Sequence, residues 1–330
     1  MKGIHFNDWK SFDTPSQWRG LYRPPGTDQS LINLAATGAT WISLIVNAGQ
    51  ETIASTTIFR DSPATATDSE LLRVIKSAHN LGMRVVLLPG LGLSNDPDHW
   101  PGHIGTAFTT EAQWQDWFAS YREFINHYAS FAQEAGADML YIGSELGGVT
   151  HREGDWRRII KEVRERFKGP ISYDSLGGEF FPHGEVKRIK WWDAVDYIAV
   201  DVWYPLTDKN DPTLAELKEA WIKRGYVADL ENISRQFNRP FIISEIGYQS
   251  RDRTNTNPGD FQKFLQAPED LQEQADCYQA ALEVLWGKPW LKGIFWWQWS
   301  ATGANWPENL QGKPAEEVLK KFYLAEEKPK

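Results

Sequence analysis

From end to end, the sequence alternates between short apolar, β-branched runs and longer stretches whose apolar residues recur at helical spacing. Strand-like runs occupy 2–6, 40–47, 84–91, 139–145, 171–175, 195–204, 241–247 and 293–299. They read as buried on both faces, as parallel strands are. Thr67 to Glu70 reads as a capping box, followed by a face of Leu71, Leu72, Ile75, Ala78 and Leu81. Residues 111–134 place Trp114, Trp117, Phe118, Tyr121, Phe124, Ile125, Tyr128 and Phe131 at helical spacing, a core pattern. Asp155 is expected to cap a helix reaching Phe167, and 213–237, 269–286 and 314–322 read as further helices. The crossover after Asp174 is irregular, with room for a short helix near 185–192. No repeat or flexible linker divides the chain. Eight strands alternating with helices therefore predict one (β/α)₈ barrel domain over 1–330, with a doubly wound open sheet as the alternative. A G-x-G-x-x-G turn or P-loop, the main support for a nucleotide fold, is lacking.

Two of the runs end in glutamate: Tyr141-Ile142-Gly143-Ser144-Glu145 and Phe241-Ile242-Ile243-Ser244-Glu245-Ile246-Gly247. A carboxylate at the end of a buried strand is expensive unless it has a partner or a task. In a barrel, functional groups gather at the C-terminal strand ends, and the fourth and seventh strands face each other across the mouth. Two facing glutamates are the parts that hydrolyse a glycosidic bond. The alternative for each is a strand-end carboxylate turned to solvent or paired with arginine.

Other strand-end groups extend this set. They are His5 and Asn7 on the first strand, Asn47 on the second, Asp174 on the fifth, Asp201 and Tyr204 on the sixth, Tyr248 beyond the seventh, and Trp297 and Trp299 on the eighth. Asp201 reads equally well as a carboxyl satisfied inside a polar barrel layer. Trp297 and Trp299 share strand parity, so both are expected on one side, as core or as a sugar platform. In the loop after the third strand, Trp100 is the candidate stacking surface and His103 the candidate hydroxyl partner. For Trp100 the alternative is packing on the helix that starts near Glu111.

Composition narrows the function. The net charge of −9 argues against nucleic acid or an anionic membrane as partner. No run of 18 apolar residues occurs, and the lone Cys277 excludes an intrachain disulfide and a thiolate metal site. His99 and His103 are separated by Pro101 and Gly102, which breaks helical ligand spacing. Hydrolysis by two carboxyls needs neither a metal nor an organic cofactor, and none is expected. A metal-dependent barrel hydrolase and a non-catalytic carbohydrate-binding barrel are the rival readings. The first strand starts almost at Met1, so a cytoplasmic protein is expected as the chain stands, or a secreted one if this is a mature form. A monomer is expected.

The ordered set of motifs resembles glycoside hydrolase family 113, the β-1,4-mannanases, within the large clan of retaining (β/α)₈ glycosidases. The resemblance is carried by Gly143-Ser144-Glu145, by His151-Arg152-Glu153 through Trp156 to Gly169-Pro170-Ile171-Ser172-Tyr173, and by Trp191-Trp192-Asp193-Ala194-Val195-Asp196. Tyr204-Pro205-Leu206, Ser244-Glu245-Ile246-Gly247 and Trp297-Gln298-Trp299 complete it. It implies Glu145 as general acid/base and Glu245 as nucleophile, roles the residues alone leave open. It also implies a β-linked oligo- or polysaccharide substrate, cleaved internally. The chain departs from the family in Leu88, where a basic residue is expected before Pro89, and in the absence of an arginine from the 90–103 loop. Asp201 and Trp203 stand where small residues would be unsurprising. These differences fall on the sugar-binding rim.

Overall fold

A computed structural model describes residues 1–7, 22, 24–61, 65–177, 184–264 and 266–325. The chain enters as β1 (Lys2–Asn7), α1 (Gly26–Ala35) and β2 (Trp41–Gln50), then a two-residue β3 (Ile58–Phe59), α2 (Asp68–Asn80) and β4 (Arg84–Leu93). It continues through α3 (Glu111–Ala135), β5 (Met139–Ser144), α4 (Glu153–Arg166), β6 (Ile171–Leu176), α5 (Glu185–Arg188) and β7 (Ile198–Asp201). Next come α6 (Leu214–Lys223), α7 (Tyr226–Phe237), β8 (Phe241–Ile246), α8 (Leu271–Leu285), β9 (Leu291–Ser300) and α9 (Pro314–Tyr323). All strands except β3 pair in parallel. Because β1 bonds both β2 and β9, the sheet closes into the expected eight-stranded barrel. The open-sheet alternative falls with that closure. β3 is an antiparallel addition to the end of β2, where Gly49 leaves room for the Phe59 ring.

Side chains alternate between two cores. Inside the barrel, Trp41, Val86, Met139, Tyr141, Ala199, Ile242 and Phe295 fill the bore. Outward residues such as Ile42, Val85, Leu140, Val200 and Ile243 pack on the helices. The aromatic stripe of α3 is buried from Trp117 to Phe131, with Trp114 at its margin, as its spacing implied.

Local chemistry sets the element ends. The Thr67–Glu70 capping box starts α2, though Leu81 lies past its end and is exposed. Asp155 does not cap α4. Arg152 holds that position and Asp155 sits inside the first turn, where its carboxylate takes a hydrogen bond from Arg152. The stretch 213–237 is two helices, because Gly225 adopts a left-handed φ of 77° that ends one and starts the next. The sixth barrel strand is shorter than its apolar run, Ile198–Asp201 rather than 195–204. In the fifth crossover, α5 is a single turn, and residues 178–183 lie outside the described set.

Candidate active site

At the C-terminal mouth of the barrel a cavity of about 150 Å3 is lined by Ile45, Asn47, Leu88, Gly90, Leu91, Trp100, Pro101, Ser144, Glu145, Trp203, Glu245, Phe261 and Trp297. Glu145, Asp201 and Glu245 each place a carboxyl oxygen within 4.8 Å of the others. The glutamates keep an edge in the cleft, while Asp201 is fully buried.

β-bulges do much of the aiming. Between β5 and β6, Tyr141 pairs with Ser172 but Ser144 with Asp174, so β5 carries an extra residue just before Glu145. Between β7 and β8, Val200 pairs with Ile243 but Asp201 with Glu245, so β8 carries one at Ser244. This second bulge sets Glu245 beside Asp201. Gly143 occupies the first one because a Cβ there would meet the Tyr121 hydroxyl at 2.5 Å.

Glu145 itself has φ 52°, in the left-handed region that non-glycine residues avoid at a cost of roughly 1–3 kcal/mol. Its backbone N–H donates to the Asp174 carbonyl at 2.8 Å, and the next N–H, of Leu146, donates to the Tyr173 hydroxyl at 2.6 Å. Tyr173 in turn donates to the buried Glu185 at 2.5 Å, which also accepts from Leu176 N–H at 2.8 Å. This chain clamps the backbone on both sides of Glu145. Tyr173→Phe should leave Leu146 N–H and Glu185 short of a partner. We expect a loss of about 1–3 kcal/mol in denaturant unfolding together with a fall in kcat at nearly constant KM. A variant with wild-type kcat would show that the clamp does not position Glu145.

Burial raises every carboxyl of the cluster, and neighbouring negative charge adds to the rise of Glu145, Asp201 and Glu245. Glu145 is pushed up to about 8, by burial first and by Asp174 second. Glu245 and Asp201 are raised well above the carboxylate range, by burial and then Asp174, and Asp174 is raised by burial. The Glu245 side chain keeps 12% of its surface exposed at the cleft, whereas Asp201 is sealed. His5 lies with Nε2 3.9 Å from Glu245 and 2.7 Å from the Ser244 carbonyl. Burial lowers its pKa to about 4, so at neutral pH it is an uncharged ring whose Nε2–H donates to that carbonyl.

Of the other sequence candidates, Asn47, Trp100 and Trp297 line the cavity. Asn47 lies over Gly90, where a Cβ would sit 2.5 Å from its amide oxygen. Trp100 covers Gly102 with its ring and meets His103 edge-on at 5.8 Å. His103 packs against Trp100 and His99 and is not among the lining residues. Asn7 is buried in the strand ladder, where its carbonyl accepts from Ala301. Asp174 lies buried beneath the glutamates and accepts from the Ser144 hydroxyl at 3.0 Å. Tyr204 packs at a tilt against Tyr226, ring centroids 4.5 Å apart, and Tyr248 is buried near Tyr278, so both belong to the core. Trp299 does not share a side with Trp297. A bulge in β9, where Ile4 pairs with Trp296 but Phe6 with Trp299, inverts the parity. Trp299 then faces α1, where its indole N–H donates to Ser30 at 3.0 Å.

Phe261 and Ser144 line the site beyond the expected set, and Trp203, expected only as a departure, joins them. Trp203 continues the inward parity of Ala199 and Asp201, a signal open to sequence reasoning. Phe261 comes from a loop without periodicity, where it meets Trp203 edge-on at 5.2 Å.

Comparison with known proteins gives this geometry a family. The model of glycoside hydrolase family 113 matches residues 11–313. The chain belongs to glycoside hydrolase family 113. It is therefore a glycoside hydrolase. A solved structure of a GH113 β-1,4-mannanase is similar at 27% identity and TM-score 0.84, with 98% of this chain and 99% of that one covered. The GH113 β-mannanase AaManA from Alicyclobacillus acidocaldarius, in complex with ManMIm, is 26% identical with TM-score 0.82, covering 98% and 97%. A family 5 mannosidase from Rhizomucor miehei shares the fold at 12% identity and TM-score 0.64, covering 98% and 92%. No curated protein matches the chain. Among the described residues, no helix is long and apolar enough to cross a membrane.

Proposed function

We propose that this family 113 enzyme hydrolyses β-1,4-linked mannan or glucomannan by double displacement, with Glu245 as nucleophile and Glu145 as acid/base. The observation that carries the reading is the close approach of the two glutamates at the cavity floor, with carboxyl oxygens within 4.8 Å. Retaining glycosidases hold their two carboxyls about 5–5.5 Å apart, whereas inverting ones leave room for water at roughly 6.5–9.5 Å. The mannan specificity is supported by the β-1,4-mannanases that the chain resembles over nearly its full length.

In the first step Glu245 attacks the anomeric carbon while Glu145 gives its proton to the leaving oxygen. In the second, Glu145 takes a proton from water as that water displaces Glu245, and both carboxyls return to their starting states. Burial and Asp174 hold the Glu145 proton into the neutral range, as the acid role requires; the same two causes raise Glu245, so the division of roles rests on the family resemblance. The charge of Glu245 is not the main cause of the Glu145 shift. Trp297 forms one wall of the cavity, with Trp203 edge-on to it at 6.5 Å. Such flat apolar walls bind sugar faces while the carboxyls hold the reacting centre.

Pure enzyme acting on mannan, glucomannan, xylan and cello-oligosaccharides, with product anomers followed by NMR, tests this reading. The mannan-type substrates should be cleaved fastest and release the β-anomer first. Preference for xylan or cellulose would overturn the specificity, and release of the α-anomer first would overturn the mechanism.

Trp100→Ala should raise KM for oligosaccharides about tenfold, corresponding to ~1–1.5 kcal/mol for a lost aromatic contact, and leave short activated substrates little changed. An equal loss of kcat/KM at every substrate length, with a lower melting temperature, would mean that Trp100 only covers Gly102.

A further inference from the structure

Asp201 takes no part in the double displacement, yet it stands at the centre of the carboxyl cluster. It is fully buried, with a carboxyl oxygen within 4.8 Å of those of Glu145 and Glu245, and with Asp174 as its nearest acidic neighbour on β6. Neither of its oxygens meets an N–H or O–H donor among the described residues. Asp174 differs, since it accepts from the Ser144 hydroxyl at 3.0 Å and has the Ser244 hydroxyl beside it. An ionised carboxylate only accepts, so two carboxyl groups share a hydrogen bond only when one of them carries a proton. A sealed charge without a donor is far more costly than the neutral acid.

We propose that Asp201 is a positioning residue that stays protonated in the working enzyme, donating its hydroxyl to ionised Asp174 and accepting the acidic hydrogen of Glu145 on its other oxygen. The proposal rests on Glu145 being the acid. In the empty site Asp201 holds the Glu145 carboxyl in place by its single acidic hydrogen, which turns from Asp201 to the leaving oxygen when substrate binds. Once Glu145 has given up its proton, its carboxylate faces a neutral neighbour, and the Asp201 hydroxyl can turn to it. The proton lost by Glu145 is recovered from water in the second step, so Asp201 neither gains nor loses one over the cycle. The groups facing Asp201 are Tyr141 and Glu145 from β5, Asp174 from β6 and Glu245 from β8, with neutral His5 of β1 beyond Glu245. None of them is a cation. Burial and these acidic neighbours all push Asp201 towards its neutral form.

Asparagine mimics the neutral acid, with a donor group beside an acceptor oxygen, but not the carboxylate. Asp201→Ala should lower kcat roughly 100-fold, and Asp201→Asn should recover at least about tenfold of that loss. The basic limb of kcat/KM should stay within about 0.3 pH units of wild type in Asp201→Asn, since one neutral group replaces another. A drop of the limb by a unit or more would mean that an ionised Asp201 had been raising Glu145, and would overturn the proposal. So would Asn failing as badly as Ala. The infrared spectrum needs no activity. Wild type minus Asp201→Asn at neutral pH should show the C=O stretch of one protonated carboxylic acid, and loss of a carboxylate band instead would contradict the proposal even if both variants were inactive. A stoichiometric divalent cation in the purified enzyme, removed by chelator along with activity, would also overturn it. If wild type inverts configuration, the Glu145 and Glu245 assignment fails, whereas the infrared band still reports on Asp201.

Discussion

Glu245→Ala is expected to lower kcat by at least ~10⁴-fold, because among the described lining residues the one other carboxyl, Glu145, is held to proton transfer. Ser244 precedes it and is buried, and Asp201 is sealed behind it. Added azide should restore part of the turnover of an aryl mannoside with a good leaving group. The small anion enters the space of the missing carboxylate and attacks from the same face, so the glycosyl azide should have inverted configuration. A rescued product of retained configuration would place the nucleophile elsewhere.

Glu145→Gln should produce the second large effect, and a selective one. Substrates with poor leaving groups should lose about 10²–10⁴ in kcat/KM, the usual contribution of a positioned acid. Activated aryl glycosides need little protonation, so their first step should survive while the second still lacks its base, and the glycosyl-enzyme should accumulate. The pH dependence follows from the sign of the shift. Glu145 must hold its proton to act, and its pKa is raised to about 8, so wild-type kcat/KM on poor leaving groups should fall as pH rises through that region. The glutamine variant should lose this basic limb. Equal losses for good and poor leaving groups would remove Glu145 from the acid role.

The barrel was legible in the sequence because parallel strands buried on both faces are written as apolar runs, and the helices between them carry caps and periodic faces of their own. The two glutamates were legible because a carboxylate is so unusual at the end of such a run. What strand periodicity could not supply was the set of bulges. Parity puts Trp297 and Trp299 on one side, and only an extra residue in β9 sends Trp299 to Ser30. The extra residue in β8 likewise sets Glu245 against Asp201. Tyr204 and Tyr248 lie just past their strand ends, where the chain has left the ladder and their rings turn into the helix layer. Phe261 reaches the cavity from a loop whose path no local pattern encodes. The source of the Glu145 shift was also hidden. It comes from burial and from Asp174, and no strand pattern shows either.

The most direct test of the central claim is to trap the glycosyl-enzyme with an activated 2-deoxy-2-fluoro-mannoside and map the modified residue by peptide mass spectrometry. A single adduct on the Glu245 carboxyl is the predicted result. An adduct on Glu145 or Asp201, or none while the reagent is still turned over, would contradict the account.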